Sequence, residues 1–233
     1  MEENTRTFSA VRNVIFSVHK NMDVEDKVAF YNEWAGNYNE DVHILDYRAP
    51  MLAARSLSAA FPRDREGALV LDVACGTGLV SAQLQELGFR HFVGVDGSSA
   101  MLEVAEKTGL YRELKCCILG KETLPVEAGS CDIVIIVGAL SVGHVAVTVL
   151  KELWQAAKPG GYVCMTTRAD AQNLEYKSQL DCTVAEMERE GLWTRVDVVE
   201  EEEWERAVSN DETGYISGVV YLYKKSSGQA PVV

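Results

Sequence analysis

Three features of the chain predict a doubly wound α/β fold. Leu69-Val70-Leu71-Asp72-Val73 is a short apolar run of the kind required by a parallel strand covered on both faces. It leads into Gly76-Thr77-Gly78, where glycines let the backbone turn sharply and leave room for a ligand. Strand and helix patterns then alternate as far as residue 167, which is the order of parallel units joined by crossover helices.

The elements follow in order. Residues 1–22 carry a weak helical stripe of Val11, Val14, Ile15 and Val18 and are expected to form a mobile arm. A helix is expected over 26–38, with Val28, Tyr31, Ala35 and Tyr38 near one another and Trp34 flanking them. A second helix starts near Pro50 and is stopped by Pro62. Both precede the sheet and could cover a site on it. The first strand spans 69–74, and a helix over 79–87 places Val80, Leu84 and Leu87 at helical spacing before Gly88. Next come a strand at 91–96 and a helix at 99–108, capped by Ser98 and ended by Gly109. Strands at 114–119 and 131–137, a helix at 145–157 and a strand at 161–167 follow. The last third reads as a helix at 174–190, a strand at 193–199, a helix around 202–208 and a strand at 214–224. A single domain over 23–225 accounts for all of these elements, and 226–233 is expected to be a disordered tail.

Composition narrows the function. The 233 residues are 47% hydrophobic, enough for a full core, and carry a net charge of −13. An acidic surface repels phosphate backbones, so direct nucleic-acid binding is not expected. The densest run, Glu200–Glu203, reads as a solvated face. Six cysteines, at 75, 116, 117, 131, 164 and 182, lack metal-ligand spacing and mostly sit in apolar strand patterns. They suit reduced thiols in a cytosolic or nuclear protein, and no metal site is expected. No apolar run is long enough to span a bilayer, and a monomer is the expected state.

A glycine turn after the first strand and an acid, Asp96, ending the second describe a nucleoside crevice at the carboxyl ends of the strands. A dinucleotide site prefers glycine or alanine at the third position of Gly-x-Gly-x-x-Gly, to pack beside a pyrophosphate; here that position is Ser81. S-adenosylmethionine has no pyrophosphate, and its ammonium group would give Asp72 an electrostatic purpose. Asp96 would accept hydrogen bonds from ribose hydroxyls, but it also fits NAD and is not diagnostic alone.

Later motifs extend the pattern. Glu122-Thr-Leu-Pro-Val, Cys131-Asp-Ile-Val-Ile-Ile-Val-Gly-Ala-Leu and Leu153 to Gly161 with Lys158-Pro-Gly-Gly follow in order, and Tyr31-Asn-Glu-Trp-Ala-Gly-Asn-Tyr stands upstream. In these segments the chain resembles the class I S-adenosylmethionine-dependent methyltransferases, and the upstream segment resembles the entry helix of their small-molecule and quinone-methylating branch. The resemblance covers roughly residues 25 to 225. It implies a Rossmann-like seven-stranded sheet in the order 3-2-1-4-5-7-6, with the last strand antiparallel and N-terminal lid helices.

It also implies a cofactor site. Asp72, Ala74, Gly76, Thr77 and Gly78 would surround the methionine part, Asp96 the ribose, and Gly97 and Met101 the adenosine. Val137 and Gly138 would lie beneath the sulfonium. Where the family often has an acid four positions before the Leu-Pro pair, this chain has Gly120, so Lys121 and Glu122 are substitute candidates for the adenine contact. Trp34 and Tyr38 would pack on the sulfonium by cation–π attraction, whereas Tyr31 reads as core.

Methyl transfer from a sulfonium needs alignment, exclusion of water and, for a proton-bearing acceptor, a base. His144 is the candidate base, with structural packing as its competing role, and His43 is a weaker one. The fourth strand lacks the Asn/Asp-Pro-Pro-Tyr motif of enzymes acting on exocyclic or amide nitrogens. A small-molecule acceptor is expected, from the entry-helix resemblance and the absence of a basic face. A protein acceptor, a cofactor-binding interaction protein without turnover and a nicotinamide-dependent oxidoreductase are the alternatives.

Overall fold

The computed structural model describes residues 6–18, 24–62, 64–207 and 214–228. Its centre is a seven-stranded sheet in the order β3-β2-β1-β4-β5-β7-β6. The strands are β1 (Leu69–Val73), β2 (His91–Asp96), β3 (Tyr111–Cys116), β4 (Cys131–Ile136), β5 (Ala157–Arg168), β6 (Trp193–Arg206) and β7 (Tyr215–Lys225). The first five run parallel, and β7 lies antiparallel between β5 and β6. Topology and the antiparallel last strand are as expected.

Strand alternation sorts side chains into two cores. Val70, Ile133, Ile135, Tyr162 and Cys164 face α4 (Ala49–Ala60) and α5 (Leu79–Glu86), while Leu71, Val73, Val134, Ile136, Val163 and Met165 face α7 (Leu150–Ala156) and α8 (Leu174–Arg189). Strands buried on both faces must be apolar throughout, which is why β1 and β4 read as continuous runs rather than alternating ones. Each such aliphatic side chain contributes about 1.5–3 kcal/mol on burial. The sheet is thereby a rigid floor for whatever its carboxyl ends carry.

Several boundaries differ from the sequence reading. The helix expected over 26–38 is two helices, α2 (Val24–Trp34) and α3 (Tyr38–Ile44), split by a turn at 35–37. Gly36 and Asn37 make that break, with the Asn37 N–H donating back to the Trp34 carbonyl. β3 is displaced to 111–116, because pairing with β2 pulls in Tyr111; the apolar Cys117-Ile118-Leu119 then leave the sheet as a loop. The helix expected around 202–208 is the far end of β6, with Val208 outside the described residues. The helical preference of the glutamates yields there to antiparallel pairing with β7, which resumes at Glu205 after a register shift. The helix expected at 145–157 begins instead at Leu150 after a single 3-10 turn, and β5 starts four residues early.

The described part of the N-terminal arm is α1 (Phe8–Val18), which buries Val11 and is held by an ion pair from Arg6 to buried Asp41 of α3. Residues 1–5 and 19–22 of that arm lie outside the described residues, as do 229–233 of the tail.

Candidate cofactor site and acceptor chamber

The turn after β1 is built from left-handed residues. Ala74, Gly76 and Gly78 have φ of 53°, 54° and 94°. For Ala74 this conformation costs about 1–2 kcal/mol, a strain held at the mouth of the site. From this turn the Gly76 N–H donates to Asp96 Oδ2 at 2.8 Å, and the Ser98 N–H donates to Asp96 Oδ1 at 2.8 Å. The carboxylate that ends β2 is therefore oriented by backbone from both sides, with lone pairs left for further donors. Burial pushes its pKa up, against the pull of those backbone donors.

Asp96 opens on a cleft of about 830 Å³ that is also lined by Ala74, Gly76, Gly97, Met101, Val137 and Gly138. Val28, Ile118 and Leu119 complete an apolar side, and Lys27 and Tyr31 of α2 form the roof. That roof, with the neighbouring α3, is fastened at the ends of β1 to β4. Asn39 accepts from the Thr77 hydroxyl after β1 at 2.6 Å, and Asn32 accepts from the Ser98 hydroxyl and the Ala100 N–H after β2. Glu25 pairs with Lys121 after β3. Lys27 donates to the Gly143 carbonyl after β4, while Tyr31 meets His144 Nε2 at 3.2 Å.

Not all the predicted site residues reach this cleft. Asp72 lies behind the turn, fully buried, accepting from Ser81 and Tyr111 hydroxyls at 2.7 Å each, while its Oδ1 has no partner among the described residues. Burial pushes its carboxyl up to about 7. Its place is that of a brace joining β1, α5 and β3, and Ser81, at the third glycine position, points inward to it. Gly78 packs against the Tyr111 ring, where a Cβ would sit 3.1 Å from the ring edge. Thr77 lines a smaller neighbouring crevice. Lys121 and Glu122 stand on the exposed rim: Glu122 accepts from the Ile118 N–H at 2.7 Å and so holds the loop that lines the cleft. Trp34 is directed elsewhere, donating from Nε1 to Asp41 at 2.7 Å.

Trp34 belongs to a second chamber of about 650 Å³ that shares Tyr31, Tyr38, Gly138 and His144 with the first. Tyr31, read from sequence as core, thus lies at the junction of the two. Trp34 and Tyr38 pack edge to face with centroids 4.7 Å apart. At Gly138 a Cβ would collide with the Tyr47 hydroxyl, so only glycine lets these walls meet. The far wall is Thr166, Thr167 and Arg168 from β5 with Trp204 and Glu205 from β6. A register shift between Glu201 and Glu205 seats Trp204 in the core over Gly218, whose missing side chain makes the space. The Trp204 carbonyl accepts from the Arg48 N–H, and the Arg206 N–H donates to the Leu45 carbonyl, both at 2.9 Å, so this strand end is stapled to the α3–α4 corner.

His144 sits on the shared wall, but its imidazole is neutral. Burial, together with Lys27 and Arg168, pulls its pKa down to about 4. Its Nδ1 lies 3.0 Å from Ser141 Oγ and 3.3 Å from the Val142 carbonyl. His43, on exposed α3 surface, lies outside both cavities. Glu205 was missed by the sequence reading: beside a run of glutamates nothing local distinguishes it, and only the β6 pairing turns it inward. Among the described residues no group of histidines, cysteines and carboxylates could hold a metal ion, and no helix is long and apolar enough to cross a membrane.

Comparison with known proteins supplies the family. Residues 70–161 match the methyltransferase domain family. The human methyltransferase-like protein 27 is 46% identical over 82% of this chain and 78% of its own length. A demethylmenaquinone methyltransferase from Lactococcus lactis is 40% identical over 45% of this chain and 44% of its own length. Among solved structures, a chain from the complex between the Haloferax volcanii Trm112 methyltransferase activator and its methyltransferase superposes with a TM-score of 0.64 at 16% identity, covering 85% of this chain and 97% of that one. With this sheet order, this glycine turn and a relative of such identity over most of its length, the chain belongs to the class I methyltransferases.

Proposed function

We propose that the protein transfers a methyl group from S-adenosylmethionine to a small organic acceptor, with the donor in the cleft under α2 and the acceptor in the aromatic chamber beyond Gly138. The observation that carries this reading is the meeting of two cavities at Tyr31, Tyr38, Gly138 and His144, one of them opening on the strand-end carboxylate Asp96. The cleft suits the donor. Asp96 has acceptor capacity for ribose hydroxyls, Met101, Ile118 and Leu119 offer an apolar shelf for the adenine, and Ala74 and Gly76 leave backbone exposed for the methionine end. Tyr31 and Tyr38 present rings where a sulfonium would lie, an attraction of about 0.5–2 kcal/mol. Bound there, the donor supplies a methyl carbon on a leaving group that departs as a neutral thioether.

The remaining work falls to the chain. Its fastened roof excludes water, and the shared wall aligns the acceptor with the methyl carbon. A small acceptor is supported by the aromatic lining of the chamber and by the net charge of −13. The free cysteines, four of the six buried, fit a reducing cytosolic or nuclear setting. In thermal denaturation, S-adenosylmethionine and S-adenosylhomocysteine are expected to raise the melting temperature by several degrees at saturating concentrations, and NAD by none. Stabilisation by NAD alone would refute the donor assignment. Labelled methyl incorporation into the small-molecule fraction of an extract, rather than its protein fraction, is the expected acceptor result.

A further inference from the structure

The acceptor chamber holds one carboxyl group that nothing else in the described structure engages. Glu205 lines it, and among the described residues it has neither a hydrogen-bond nor an ion-pair partner. Arg168 shares the wall: its Nε lies 3.5 Å from Asp170 Oδ1 with both side chains nearly buried, while its Nη2 makes no hydrogen bond among the described residues. Tyr31, Trp34, Tyr38, Tyr47 and Trp204 surround the remaining space. A carboxylate with no hydrogen-bond or ion-pair partner among π faces is an environment for an organic cation, because ring quadrupoles and the carboxylate attract the same sign of charge.

We propose that the methyl acceptor is an organic amine that enters as an ammonium ion, and that Glu205 holds it and removes its proton. This rests on the donor-cleft reading above. Glu205 accepts one N–H proton and becomes a neutral carboxylic acid. The freed nitrogen lone pair then forms the N–CH3 bond as the S–CH3 bond breaks, and that electron pair goes to sulfur. The products are an N-methylammonium ion and a neutral thioether.

Other groups facing the chamber are less suited. The His144 ring is engaged by Tyr31 on one side and by Ser141 and Val142 on the other. The hydroxyls of Tyr31 and Tyr38 are pushed far above neutrality, chiefly by burial. Burial also pushes the Glu205 carboxyl up to about 7, with Arg168 pulling it down and Asp170 pushing it up. A carboxylate so poised is a stronger base than one in water.

The test uses the full chain saturated with S-adenosylhomocysteine and three probes of like shape: 2-phenylethylamine, 2-phenylethanol and 3-phenylpropanoate. Calorimetry is expected to show the amine binding at least tenfold more tightly than either of the others. Glu205→Gln should lower amine affinity at least tenfold, leave the alcohol unchanged and leave the S-adenosylhomocysteine affinity unchanged. Transfer of labelled methyl from S-adenosylmethionine to the amine should rise with pH through about 7 in the wild type and lose that limb in the variant. Equal binding of the three probes, preference for the propanoate, or absence of amine binding would overturn the proposal. The probe ranking needs no variant, so it stands even if Glu205→Gln folds poorly. Failure of S-adenosylhomocysteine to bind would instead strike the donor reading.

Discussion

Every fastening that closes the donor cleft comes from a loop that directly follows one of the first four strands, whereas the acceptor chamber is assembled from α1, α2, α3, the end of β5 and the far end of β6. The cleft is thus made of short contiguous motifs, each turned by its own strand. The chamber is made of residues as distant as Ile15 and Glu205, brought together by the order of strands in the sheet. The difference teaches that the cleft proposed for the donor is carried by local backbone geometry. The chamber proposed for the acceptor is carried by long-range pairing, and substitutions should separate the two.

The largest separation is expected at Asp96. Asp96→Ala removes the acceptor that Gly76 and Ser98 orient, and each charge-assisted hydrogen bond is worth about 1.5–3 kcal/mol. S-adenosylhomocysteine affinity should fall roughly a hundredfold or more by calorimetry, with the chamber unaffected. A fall of less than about threefold would break the assignment of this strand end to the donor.

Next comes Gly218→Ala, which drives a methyl group into the Trp204 ring from the opposite strand. Overpacking of this kind costs about 1–3 kcal/mol. The melting temperature should drop by roughly 2–10 °C, while S-adenosylhomocysteine affinity stays within about threefold. If donor affinity collapsed as well, the two cavities would not be independent units.

Asp72→Asn gives the smallest and most discriminating effect. In the native protein the Asp72 carboxyl is raised to about 7, chiefly by burial, from an unfolded value near ~4. The folded state therefore holds a proton that the unfolded chain has released, and the stability this adds is complete below about pH 4 and lost as pH rises to about 7. The variant should lack that loss, so the wild type should weaken relative to it across this window in urea titrations. Donor affinity should change by less than about threefold. A loss like that of Asp96→Ala would return Asp72 to the cleft.

Much of this was legible in the chain. The doubly buried strands β1 and β4 announce themselves by continuous apolar runs, and Gly76, Gly78 and Asp96 mark the turn and the acid by residue type alone. Ser98 caps α6 (Ser99–Lys107) as its position suggests, accepting from the Met101 N–H. The departures from local expectation cluster where local preference and pairing compete. The glutamates of β6 favour a helix and are overruled by a ten-rung ladder to β7. Asp72 has the residue type of a ligand contact, yet its side chain is turned inward by Ser81 and Tyr111, partners 9 and 39 residues away. Trp34 has the residue type of a sulfonium neighbour and is drawn to the second chamber by Asp41.

By itself, then, the order of residues determined the doubly buried strands, the glycine turn and the acid beside it, because period, backbone permissiveness and charge are properties of short segments; the order of the strands came from the family resemblance. Which side chains enter which cavity was decided only in the assembled molecule. Strand pairing selects the face on which each residue emerges, and the register shift between Glu201 and Glu205 turns a residue of an acidic run into a wall of the aromatic chamber.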